Sequence, residues 1–190
     1  MAQNINEVQK IVDEIFSLYE KYGNEEYGEG VTQMMHMVQA GNLAREGGLD
    51  VEMVLASFFH DIGHLLEHGS DMDGFGKKDH DRLGHDYLIQ KGFSERVALL
   101  VASHVPAKRY LTAIDKDYYD NLSHASRTTL GFQGGPMTTE EVAAYQKDPL
   151  LDEYIQVRTW DDLAKETDLP VEKEDVEYFK KLTFDYLSNR

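Results

Sequence analysis

Cysteine is absent from all 190 residues, which excludes disulfides, thiolate zinc sites, cysteine-ligated iron–sulfur clusters and a cysteine nucleophile. Histidine and carboxylate remain as the metal-binding side chains. Positive charge is also scarce, with 19 Lys and Arg against 35 Asp and Glu and a formal net charge of −16. Such a chain repels a nucleic-acid backbone or an anionic membrane surface, so neither is expected as a partner. No apolar run approaches the roughly 18–20 residues of a membrane span, and the start MAQNINEVQK has no basic region followed by an apolar one. The expectation is a soluble, cytoplasmic chain. Period-2 alternation long enough for a sheet is missing, as are repeats and low-complexity tracts. What is present is 41% hydrophobic residues, enough for one core in a chain of one domain's length, so residues 1–190 are expected to form a single all-α domain.

Helical periodicity organises the chain. Ile5, Val8, Ile11, Val12, Ile15, Phe16, Leu18 and Tyr19 share one face of a first helix that stops near Gly23. A second helix is predicted from about Thr32 to Arg45, ending at Gly47 and Gly48. A third begins at the N-cap Asp50 and carries VEMVLASFFHDIGHLL, apolar on nearly every side and so expected at the centre. Beyond the turn-rich GSDMDGFGKKD come a helix from near His80 to Gln90 and another, SERVALLVASH, capped by Ser94. The stretch from Val105 to Met137, with Pro106 and GFQGGPMTT, reads as substrate-facing loops. Thr138 and Glu141 form a capping box for a further helix, and two more run through LLDEYIQVRTWDD and EDVEYFKKLTFDYLSNR.

The sharpest local feature is the doublet His60–Asp61 inside an apolar segment, where an unpartnered carboxylate is costly and a metal satisfies it economically. His36 in the second helix, His80 at the start of the fourth, His104 at the end of the fifth and Asp161 at the end of the helix holding Trp160 can converge on it. Six ligands are too many for one ion. A bridging Asp61 would join an ion held by His36, His60 and Asp161 to one held by His80 and His104, and such a donor set suits iron or manganese better than magnesium. A second doublet, His85–Asp86, reads as an exposed polar face, and His68 as a surface or loop residue.

HDIGH at His60 to His64, with His36, His80, His104 and Asp161, resembles the HD-domain superfamily. FSERVALLVASHVPAKRYL, NLSHASRTTLGFQGGPM and VRTWDD extend the resemblance over nearly the whole chain, to the mixed-valent diiron oxygenases that cleave the carbon–phosphorus bond of 1-hydroxy-2-aminoethylphosphonates, relatives of myo-inositol oxygenase. It implies two iron ions as Fe(II)/Fe(III), dioxygen as co-substrate, and release of phosphate with glycine or, from the trimethylated amine, glycine betaine. It implies catalytic roles for His60, Asp61 and Lys108, and an upstream 2-oxoglutarate-dependent hydroxylase as supplier of the substrate. The rival readings are a metal-dependent HD phosphohydrolase and a metal-dependent sensor or helical interaction module.

A phosphonate dianion entering an acidic protein needs local positive charge, for which Lys108 and Arg158 stand near the expected ligands. By resemblance, His64, Lys108, Ser126, Thr129, Gln133 and Arg158 form the phosphonate pocket. The resemblance also implies that a Tyr and a Glu of the loop NEEYGEG cover the iron site. Glu29 stands at the Glu position, whereas the Tyr position holds Glu26, with Tyr27 one place later. Glu26, Tyr27, Glu29, Met34 and Met35 could receive a methylated ammonium, which favours the trimethylammonio substrate. His124, in NLSHAS, stands where the resemblance implies a different polar residue.

Overall fold

A computed structural model describes residues 5–67 and 69–190; His68 lies outside the described residues. Among them are ten α-helices: α1 (Ile5–Tyr22), α2 (Gln33–Glu46), α3 (Val51–Phe59), α4 (His80–Gln90), α5 (Glu95–Ile114), α6 (Lys116–Asp120), α7 (His124–Phe132), α8 (Thr139–Tyr145), α9 (Leu151–Leu163) and α10 (Lys173–Ser188). A short 3-10 helix, Ile62–Leu65, follows α3. Two isolated bridges, Glu26 with Thr32 and Asp71 with Lys77, are the only β-type pairings among the described residues. The all-α class expected from the periodicity is the observed one, and no helix is long and apolar enough to cross a membrane.

α3 lies at the centre because every residue from Met53 to Phe59 is buried. It packs against α2, α5, α9 and α10. Phe58 stacks on Phe179 of α10 at 4.2 Å and on Tyr19 of α1 at 5.1 Å, with Phe16 completing the aromatic cluster. Caps fix the helix starts as the sequence predicts: Thr32, Asp50 and Ser94 each accept backbone amides of the first turn, and Thr138 and Glu141 form the reciprocal capping box.

Two expectations are corrected. HDIGHLL does not continue α3: the helix closes at Phe59, His60 caps it, and a 3-10 turn re-aims the chain. The reason lies in Gly63, where a Cβ would stand 1.9 Å from the His80 carbonyl oxygen, so the 3-10 turn rests directly on the first residue of α4. Gly63→Ala is expected to cost about 2–3 kcal/mol of stability through forced separation of these backbones, and to lower metal retention because His80 moves. Denaturant unfolding and metal analysis of the purified variant check this; wild-type values in both would contradict it.

The second correction concerns Val105 to Met137, which holds the rest of α5, α6 and α7 rather than loops. α5 runs through Pro106 although proline removes an amide and crowds the preceding turn. Packing overrides that local cost: Val97, Leu100, Val101, Ala107 and Tyr110 are buried along one continuous helix against α3, α4 and α9. His104 therefore sits mid-helix rather than at a helix end, and Lys108 follows one turn later on the same helix.

Candidate metal centre and its pocket

Four helices and the α3 terminus bring six side chains to one buried point. His36 comes from the first turns of α2, His60 and Asp61 from the end of α3, His80 from the first residue of α4, His104 from the middle of α5 and Asp161 from the last turn of α9; all six are buried. The imidazoles form two pairs. His36 Nε2 lies 3.0 Å from His60 Nε2, and His80 Nε2 lies 2.8 Å from His104 Nε2.

The opposite ring nitrogens decide what those pairs are. Nδ1 of His36, His60, His80 and His104 sits 2.6–2.8 Å from the carbonyl oxygens of Ala164, Ser57, Lys77 and Val101 respectively. A carbonyl accepts only, so each Nδ1 carries a proton and each neutral ring turns an Nε2 lone pair toward its partner. Two facing lone pairs repel unless a cation lies between or beside them. Burial drives His60 down to about 4 and His80 to about 3, whereas at His36 and His104 burial is outweighed by Asp161 and Asp61, which raise them. Burial thus disfavours charge on one ring of each pair, while the neighbouring carboxylates favour it on the other.

Asp61 joins the pairs. Its Oδ2 is 3.6 Å from both His36 Nε2 and His60 Nε2, and its Oδ1 is 3.4 Å from both His80 Nε2 and His104 Nε2. Asp161 Oδ1 lies 3.3 Å from His36 Nε2. Burial opposes charge on Asp61, but the imidazoles, His60 foremost, hold its carboxyl well below the usual carboxylate range. Donor atoms about 2.1 Å from an ion stand about 3.0–3.4 Å from one another in octahedral or tetrahedral arrangements, close to the spacings within each set. The residues fit two metal ions.

His64 also comes within reach of Asp61 and His80 as a possible ligand, but its polarity is reversed. Its Nδ1 accepts the Lys77 backbone amide at 2.9 Å, which places the proton on Nε2 and makes that nitrogen a donor. The ring is fixed by stacking on His80 at 3.9 Å, by Tyr27 at 4.9 Å, and by Gly76, where a Cβ would meet it at 2.4 Å. His64 is therefore suited to an anionic oxygen rather than to a cation.

A cavity of about 70 Å³ opens beside the cluster, lined by all six residues expected to form the phosphonate pocket, His64, Lys108, Ser126, Thr129, Gln133 and Arg158, and by Tyr27 and Glu29 of the loop expected to cover the site. Lys108 is buried and donates to Thr129 Oγ1 at 2.9 Å. Burial, helped by the Arg158 charge, pushes its ammonium down to about 7; an anion beside it would restore the charge. Arg158 is committed more deeply than the sequence suggests. Its guanidinium donates to Asp161 Oδ2 at 2.6 Å, to Asp162 and to the Tyr118 hydroxyl, with the Ser126 hydroxyl at 3.3 Å.

Some expectations need correction. Glu26, Met34 and Met35 do not line the cavity; Met72 and Phe75 supply its soft and aromatic wall instead. Tyr27 donates to Glu25 Oε2 at 2.5 Å. Asp161 lies two residues before the end of α9. His85 pairs with its neighbour Asp86 at 2.9 Å on α4, and His124 is exposed at the start of α7 beside Phe75; neither joins the cluster. His85→Ala is expected to leave metal content and thermal stability within error of wild type, since its partner is exposed. A loss of bound metal would overturn that placement. Sequence reasoning missed Gln33, whose buried amide oxygen has no partner, and Lys165, which meets Glu29. Gln33 was findable, being three residues before His36 on one helix face; Lys165 carries no such signal.

A helical domain closing around two imidazole pairs and a shared carboxylate defines a metal-capable helical protein with a small polar pocket. The HD-domain model matches residues 34–163, and the chain belongs to the HD-domain family. An uncharacterized protein of Acanthamoeba polyphaga mimivirus is 39% identical over 97% of this chain and 85% of its own length. The [1-hydroxy-2-(trimethylamino)ethyl]phosphonate dioxygenase (glycine-betaine-forming) of Leisingera caerulea is 39% identical over 84% of this chain and 82% of its own. The hydroxymethylphosphonate dioxygenase of Gimesia maris is 36% identical over 84% and 81%.

Proposed function

We propose that this chain is a diiron oxygenase that uses dioxygen to cleave the carbon–phosphorus bond of an (R)-1-hydroxyphosphonate, with the 2-trimethylammonio compound as leading substrate and the unmethylated 2-amino compound as second. The observation that carries this reading is Asp61, whose two oxygens face two separate histidine pairs. The names of the two dioxygenase relatives supply the reaction class. His36, His60 and Asp161 would hold one iron, His80 and His104 the other, and Asp61 would belong to both. When bound as a mixed-valent Fe(II)/Fe(III) pair, the irons supply Lewis acidity and the activation of dioxygen.

The chain's own groups bind and orient. The Lys108 ammonium and the His64 Nε2–H would donate to the oxygens of a phosphonate, the Ser126 and Thr129 hydroxyls lie on the same wall, and the buried Arg158 adds positive charge beneath them. The balance is simple: the substrate carbon loses its hydrogen and its bond to phosphorus, and one dioxygen contributes one oxygen to the carboxylate and one to phosphate. Met72, Val105 and Phe75 keep that part of the cavity apolar, limiting access of water to the reacting carbon.

Iron-loaded protein incubated with (R)-1-hydroxy-2-(trimethylammonio)ethylphosphonate or its unmethylated analogue tests the reading. Phosphate should appear in air, with glycine betaine or glycine respectively, and be absent under argon. Oxygen-independent hydrolysis of a phosphate ester, without action on either phosphonate, would instead establish the phosphohydrolase.

A further inference from the structure

The cavity has three acidic residues in its wall. Asp61 and Asp161 belong to the metal-capable cluster, which leaves Glu29 as the carboxylate that could meet a cationic group on a ligand. Glu29 is already balanced. Its Oε1 accepts the Lys165 ammonium at 2.9 Å and the Ser123 hydroxyl at 2.8 Å, with the Ser126 hydroxyl at 3.4 Å. Lys165 stands just beyond α9, behind the wall rather than on it, and its side chain is largely enclosed at 17% exposure. A second carboxylate oxygen, Asp162 Oδ1, lies 3.9 Å from the same ammonium.

We infer that Lys165 is a specificity-determining residue, an internal counter-ion that competes with the cationic end of a ligand for Glu29. The inference rests on the phosphonate reading of the cavity. A trimethylammonium group brought to Glu29 meets a carboxylate whose charge Lys165 already offsets, and finds that charge in full only by displacing the ammonium. Lys165 does not then lose all pairing, because Asp162 stands within reach, so displacement is costly without being prohibitive. A ligand of the same shape without the charge leaves the Lys165–Glu29 pair alone. Lys165 thus weakens the preference for a cationic tail that a free Glu29 would impose, and the pocket accepts both kinds of ligand. The two dioxygenase relatives are named for substrates that differ in this very property, one with a quaternary nitrogen and one without, at nearly equal identity. Identity therefore does not choose between them, and the counter-ion at residue 165 leaves both within reach of this pocket.

The test is binding rather than turnover. The probes are 2-(trimethylammonio)ethylphosphonate and its uncharged carbon isostere 3,3-dimethylbutylphosphonate, titrated calorimetrically into metal-loaded wild type and Lys165→Met under argon. Wild type should bind the two within about threefold of each other. Lys165→Met should bind the cationic compound about tenfold more tightly than wild type does, a coupling of about 1.4 kcal/mol, and the isostere unchanged. Unchanged binding of the isostere also shows that the variant is folded. An affinity ratio that stays within twofold of wild type would overturn the proposal. Equal weakening of both probes would also overturn it, by placing Lys165 at the phosphonate. If neither probe binds either folded, metal-loaded protein, the phosphonate reading itself fails and this proposal falls with it.

Discussion

Asp61→Ala is expected to lose stable binding of both metal ions and at least about 1,000-fold in turnover, since the ions supply several kcal/mol of transition-state stabilisation. One carboxylate serves two histidine pairs through its two oxygens, so its removal takes a donor and a negative charge from each. The metal-free variant should still fold: alanine removes a buried carboxylate whose charge is costly without its cations. The discriminating readout is thermal unfolding with and without chelator. Wild type should melt lower once stripped, because an ion that binds only the folded state stabilises it, whereas Asp61→Ala should be indifferent to chelator. An iron-loaded, active Asp61→Ala protein would contradict the shared-carboxylate arrangement.

Arg158→Ala should have the largest effect on stability, about 3–5 kcal/mol, because it leaves the carboxylates of Asp161 and Asp162 without their buried counter-ion. Metal affinity should fall with it, since the guanidinium fixes Asp161 through its Oδ2 while Oδ1 faces His36. Arg158→Lys should rescue little, as a single ammonium cannot reproduce the fork that reaches both carboxylates and Tyr118. Lys108→Ala separates the two cations. Its hydrogen bond goes to Thr129, away from the cluster, so that variant should keep its metal and raise KM about tenfold or more, in line with loss of a charged hydrogen bond to an anion. Denaturant unfolding, metal analysis and steady-state kinetics on the three variants check the set. Wild-type stability of Arg158→Ala would show that its ion pairs are not what holds Asp161.

Much of this was legible in the sequence because it rests on local rules. The boundaries of α1 and α4, the caps Thr32, Asp50, Ser94 and Thr138, and the burial of α3 follow from periodicity and short-range hydrogen bonding. Where packing decides, the sequence misleads: Pro106 marks a break that tertiary contacts remove, and an apolar run continues past Phe59 although Gly63 must rest on His80. The six clustered side chains are legible by residue type. Their division into His36 with His60 and His80 with His104 was also expected, but the carbonyl that fixes each Nδ1 was not, since Ala164 is 128 residues from His36. The polarity of the His64 ring is likewise beyond local rules, because the Lys77 amide sets it. Lys165 was invisible for the opposite reason: a lysine in an acidic chain is ordinarily a solvated charge, and only the fold places it behind Glu29.

The most direct test of the oxygenase reading follows the oxygen atoms. Turnover of the trimethylammonio or unmethylated 1-hydroxyphosphonate under isotopically labelled dioxygen in ordinary water, with phosphate and amino acid examined by mass spectrometry, should place one labelled oxygen in each product. Phosphate formed without label from dioxygen, and with label when the water is labelled instead, would mean that water breaks the bond and would contradict the account.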